Sequence, residues 1–150
     1  MIRHALLLLF CALPLAAIAQ TEGSVGEMVA TTHAPKDQDA CLDHSVRELG
    51  MSAKKVEGAR HWVIGPQFLH PSLVPGGAVD VMLEPAPNDQ TRVTARARWS
   101  ASSAVLTHEG ELASRLKAIP HKMAQACGVT RPQVSCSVAV QNTKRPCRLE

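Results

Sequence analysis

The sequence predicts a two-layer α+β domain: an antiparallel sheet of about four strands with two helices on one face, stapled by disulfides. Three observations lead there. Two segments repeat apolar residues at helical spacing, so each buries one stripe. Others alternate apolar and polar residues with period two, so each buries one face. Five cysteines are present, and four of them lie beyond a start that reads as an export signal. An even number in a small exported domain reads first as two disulfides.

Met1 to Ala19 is that signal. A short basic start with Arg3 precedes the apolar run from Ala5 to Ala16, and Ala17-Ile18-Ala19 has the small-x-small form of a cleavage site. Cys11 lies inside the apolar run, too early for a lipidation box. Cleavage after residue 19 of 150 leaves 131 residues, enough for one core. Residues 20–36 have no apolar period and are rich in Thr, Gly and Ala, which predicts a flexible N-terminal arm. The domain proper is expected over residues 37–150.

The first helix is expected over Asp37 to Leu49, with Leu42, Val46 and Leu49 on one stripe, Asp37 or Asp39 as cap and Gly50 as stop. Lys54 to Ile64 reads as one weakly patterned strand, with Trp62 and Ile64 on the same face. Pro66 to Gly77 is a Pro- and Gly-rich loop. Ala78–Glu84 and Thr91–Trp99 form the clearest hairpin, and Ser103–Thr107 a third strand beside it. The parity of Val79, Val81 and Leu83 against Val93, Ala95 and Ala97 sets Asp80 opposite Arg96 and Glu84 opposite Arg92.

Glu109 to Ala126 carries the strongest helical pattern, in Leu112, Leu116, Ile119, Met123 and Ala126. Pro120 removes a backbone donor and is expected to kink or split it. Gly128 ends it. Val134–Val140 reads as the last strand, turning back into a short segment at Arg145–Leu149. The order α-β-β-β-β-α-β is similar to that of helix-grip folds, a likeness of layout alone.

Helix geometry sets the disulfides. Cys41 opens the first helix and Cys127 closes the second, so antiparallel helices bring them together, while Cys136 and Cys147 lie on two arms of a terminal hairpin. The competing scheme joins Cys127 to Cys136 and leaves Cys41 for Cys147.

The formal charge of +3, or +2 without Arg3, is too small for a nucleic-acid or anionic-membrane binder. Beyond the signal the aromatic residues are Trp62, Phe68 and Trp99, too few for stacking platforms. No second apolar run is long enough to span a bilayer. Cys41-x-x-His44 has the spacing of a metal ligand pair but lacks a second arm, and no C-x-x-C, HExxH, GxSxG or P-loop occurs. The expectation is therefore no catalytic residue, no metal and no cofactor. The best surface feature is the row Arg92, Arg96, Arg98, whose side chains share one strand face at about 7 Å steps.

These readings predict an exported, non-catalytic binding or accessory domain that acts on another envelope or secreted macromolecule, as an inhibitor or assembly factor. The partner is expected to be a protein. One alternative is a carrier of a small apolar ligand, with a pocket lined by Leu112, Leu116, Ile119 and Met123 opposite Trp99. A more distant one is a hydrolase or metal-assisted enzyme using His108, Glu109 and His121.

Overall fold

The computed structural model describes residues 25–49, 54–65, 78–100, 108–140 and 143–148. The signal segment, the 66–77 loop and the strand expected at 103–107 lie outside the described residues. The described residues form one antiparallel sheet of seven strands and two helices, held by two disulfides.

The first strand, β1 (Val25–Pro35), occupies the stretch expected to be a flexible arm. It pairs with two neighbours, so it is a central strand and part of the domain. Its inward positions are Gly26, Met28, Ala30, Thr32 and Ala34, all buried. They alternate correctly, but their small or polar side chains give almost no hydrophobic signal. Pro35 ends the strand, and a single 3-10 turn (Lys36–Gln38) leads into α1 (Asp39–Leu49). That turn takes the first residues expected of the helix. Leu42, Ser45 and Val46 form its buried stripe.

The segment read as one strand is two, β2 (Lys54–Lys55) and β3 (His61–Ile64), joined by a turn in which Gly58 adopts φ 73°. That left-handed backbone suits glycine, and it is why Lys54–Ile64 does not run straight. The hairpin β4 (Val79–Ala86) and β5 (Gln90–Ser100) has the expected register, with Asp80 opposite Arg96 and Glu84 opposite Arg92. Asn88 and Asp89 carry its turn at φ 60° and 50°, a region these two residues tolerate well.

The second helix, α2 (Glu109–Ala126), is continuous through Pro120. The expected split is absent: Leu116, Ile119, Pro120 and Met123 are all buried, so packing carries the helix across the missing hydrogen bond. Gly128 (φ 88°) closes the helix: the Gly128 N–H donates to Gln125 O at 3.1 Å and the Val129 N–H to Ala124 O at 3.0 Å. The terminal hairpin, β6 (Ser135–Val140) and β7 (Thr143–Pro146), adds the remaining strands.

The strand order is β2-β3-β4-β5-β1-β6-β7. The expectation of about four strands is thus corrected to seven. The arm is a strand, one expected strand is two, and the C-terminal segment pairs as a strand of its own. The order of elements becomes β-α-β-β-β-β-α-β-β. The helix-grip-like order is set aside, because the chain enters through a central strand before its first helix.

The register places every large buried sheet residue on one face. Trp62, Val81, Ala95, Ala30 and Cys136 form one such row, and Ile64, Val79, Ala97, Met28 and Val138 another. The buried residues of both helices join this core. Helix α2 lies on β1, β5 and β6, and α1 packs beside it. The alanines beneath α2 let the helix come close to the sheet. Gly26 does the same for Trp99, since a Cβ at Gly26 would overlap the indole.

Candidate interaction surface

The helices cover the inner face of the sheet; the other face carries the charged side chains of β5. Arg92 and Arg98 stand about half exposed, at 47% and 54%, and Arg96 is lower at 27%. All three face the same way, as the alternation of the strand requires. Arg92 Nε donates to Glu84 Oε2 across the hairpin at 3.2 Å. Arg96 does not pair with Asp80, which lies directly opposite it. Asp80 instead meets His61 Nε2 on β3 at 2.8 Å. Arg96 turns to β1, where its Nε lies 3.6 Å from Glu27 Oε2, within ion-pair range but too far for a hydrogen bond. The same Glu27 oxygen accepts a hydrogen bond from Arg98 Nε at 3.1 Å.

Glu27 therefore serves two arginines. Sequence reasoning missed it because it lies on the segment read as an arm. The signal was present in the alternation of Glu27, Val29 and Thr31 with buried Met28 and Ala30. Between the charges lie half-buried Val29, Met82 and Ala139. The hydroxyls of Thr31 and Thr94 meet across β1 and β5 at 3.5 Å.

A scan of protein-family models finds no match to this chain, and a search of curated proteins finds no relative. The functional reading therefore rests on the geometry.

The disulfides join Cys41 to Cys127 and Cys136 to Cys147, the two pairs set by the helix and hairpin argument. The Cα atoms are 5.7 and 5.4 Å apart. Oxidised, these cysteines offer no thiolate for nucleophilic or metal chemistry. Such links persist in oxidising compartments, so they point to an extracellular or periplasmic setting. No helix among the described residues is long and apolar enough to cross a membrane.

The residues proposed to line a ligand pocket, Leu112, Leu116, Ile119 and Met123, are fully buried and pack with Trp99 as core. His108, Glu109 and His121 do not converge. His121 lies twelve residues beyond Glu109 on α2, roughly 18 Å along the helix axis. A groove of about 300 Å³ beside His121, lined by Lys117 and Pro132 to Val134, offers it no acidic partner among the described residues.

Glu109 has a different task. Its carboxylate is 6% exposed and accepts two parallel hydrogen bonds from Arg145 of β7, at 2.7 and 2.6 Å. The Arg148 N–H donates to it at 2.8 Å. The Arg145 hydrogen bonds, helped by Arg148 and opposed by burial, hold its carboxyl below the usual glutamate range. The position at the first turn of α2 also favours the negative charge. This clamp ties the terminal hairpin to the helix. Asp39 makes a second tie: burial raises its pKa, but the Thr91 hydroxyl and Arg60 outweigh that and hold it low.

Proposed function

We propose that this is an exported, disulfide-stapled, non-catalytic domain that binds another envelope or secreted protein through the exposed face of its sheet. The observation that carries the reading is the arginine row on the face opposite both helices, with fewer acids than cations around it. Lys54, Arg92, Arg96, Arg98 and Lys144 share that face by register, against Glu27, Asp80 and Glu84. Guanidiniums beside half-buried apolar side chains are features that protein interfaces commonly share, which supports the reading. In this reading the signal segment is cut after Ala19, and the protein acts in the periplasm or outside the cell.

Two measurements test it. Intact mass of the exported protein is expected to match a chain beginning at Gln20 with four oxidised cysteines; retention of Met1 overturns the export reading. Affinity capture from envelope extract is run with the native protein and with R96A/R98A. A protein held by the first and lost by the second supports the surface, and identical capture by both refutes it.

A further inference from the structure

We propose that Glu27 is an internal stand-in for a carboxylate of the partner: it holds Arg96 and Arg98 in the free protein, and an acidic protein surface displaces it. This rests on the reading of the sheet face as an interaction surface and names the chemistry that the surface recognises.

Three features converge on it. One Glu27 oxygen is shared between two guanidiniums, at 3.1 Å from Arg98 Nε and 3.6 Å from Arg96 Nε. Each guanidinium has five N–H donors in a planar fork suited to a carboxylate of its own. Arg96 Nε is buried and makes no hydrogen bond among the described residues, so Glu27 at 3.6 Å holds this guanidinium by charge alone. The nearest alternative acid by register is Asp80, and His61 engages it at 2.8 Å. A carboxylate arriving from outside would meet the exposed part of the Arg96 guanidinium, not its buried Nε, and would break one short contact, that between Glu27 and Arg98.

The same face argues for a protein occupant. A rigid duplex with evenly spaced phosphates would meet Glu27, Asp80 and Glu84 as well as the arginines, and like charges brought together oppose binding, whereas a flexible polypeptide can leave those acids uncovered. A protein surface can place carboxylates over Arg96 and Arg98 and apolar side chains over Val29, Met82 and Ala139. The fit needs both kinds of contact.

The test uses the oxidised protein at low ionic strength with poly-L-glutamate as probe and a short DNA duplex as comparator. Glu27→Gln removes the internal competitor, and Glu111→Gln changes net charge equally on α2, where Glu111 pairs with Arg115 at 3.0 Å. E27Q is expected to bind the probe roughly fivefold more tightly than native protein, E111Q by less than about twofold, and R96A/R98A to lose most binding. Glu27→Ala provides a second variant, and an unchanged melting temperature shows that each is folded. Equal gains for E27Q and E111Q would mean net charge alone and overturn the proposal. Loss with R96A/R98A but no gain with E27Q overturns the role of Glu27 and leaves the arginine surface standing. No loss with R96A/R98A overturns both. DNA bound as tightly as poly-L-glutamate overturns the assignment to a protein partner.

Discussion

Along β5, Val93, Ala95 and Ala97 are wholly buried, while Arg92 and Arg98 on the opposite side stand about half in water. The same contrast runs through β1, where Met28 and Ala30 are sealed beneath α2 and Glu27 reaches out to two arginines. One backbone thus serves two environments. On the inner face, volume decides what is tolerated, because the core is close-packed. On the outer face charge decides little for stability, because water competes with each ion pair. Residues on the outer face are therefore free to be selected for binding.

The sharpest way to break that contrast is to place one charge on each face at neighbouring positions of β1. Ala30→Asp buries a carboxylate with no partner and is expected to cost about 4 kcal/mol or more, most of a small domain's stability. Val29→Asp, one residue away beside Arg96, is expected to cost less than about 1 kcal/mol. Urea unfolding midpoints of the two variants decide. Equal losses would show that β1 is not a central strand with one dry face.

The disulfides sharpen the picture along the chain. Cys41–Cys127 spans 86 residues and Cys136–Cys147 spans 11. In the chain-entropy view, removing the first by paired Ser substitution costs about 4–5 kcal/mol and the second about 3 kcal/mol. Calorimetry of the two double variants is expected to rank them in that order. The reverse ranking would show that the short link does more than constrain the unfolded chain, for example by seating β7 for the Arg145 clamp.

What was legible in the sequence follows from how strongly each segment advertises its buried face. The β4–β5 register and the limits of α2 could be read because their apolar residues keep an unbroken period, and both cysteine pairs followed from where the helices and the terminal hairpin place their ends. β1 could not, and the reason is physical. A central strand lying directly under a helix takes small residues, so Gly26, Ala30, Thr32 and Ala34 alternate without looking hydrophobic. The strand that α2 covers most thus carries little hydrophobic signal of its own. Glu27 was lost with it, and so was the half of the charged face that explains where Arg96 and Arg98 point. The arginine row itself was visible, but its neighbours were assigned by the hairpin alone, and the Asp80–Arg96 pair expected there gives way to His61–Asp80 and Glu27–Arg96.

The Glu109 clamp lies between the two extremes, being ionic yet nearly dry. Glu109→Ala removes three charge-assisted hydrogen bonds and is expected to cost about 2–3 kcal/mol at pH 7, part of the loss being recovered as Arg145 rehydrates. Because the folded-state pKa is lowered, the stabilisation is fully present above the ordinary glutamate range. It is lost as pH falls from about 5 through the lowered value. Native protein and E109A are therefore expected to converge in stability toward acid pH. A constant difference between them would show that Glu109 acts through packing.

The smallest effect expected is on the outer face. Arg98 and Glu27 are joined by one hydrogen bond at 3.1 Å between half-exposed side chains. A double-mutant cycle of Arg98→Ala and Glu27→Ala is expected to give a coupling of about 0.2–1 kcal/mol, shrinking further when salt is raised from 0.05 to about 0.5 M. Arg96 is farther from the same oxygen, so its cycle with Glu27 is expected to give less. A coupling above about 2 kcal/mol would mean that the charged face helps hold the sheet together, and that its arginines are placed for the fold. A small, salt-sensitive coupling leaves stability as no reason for three arginines on one strand face.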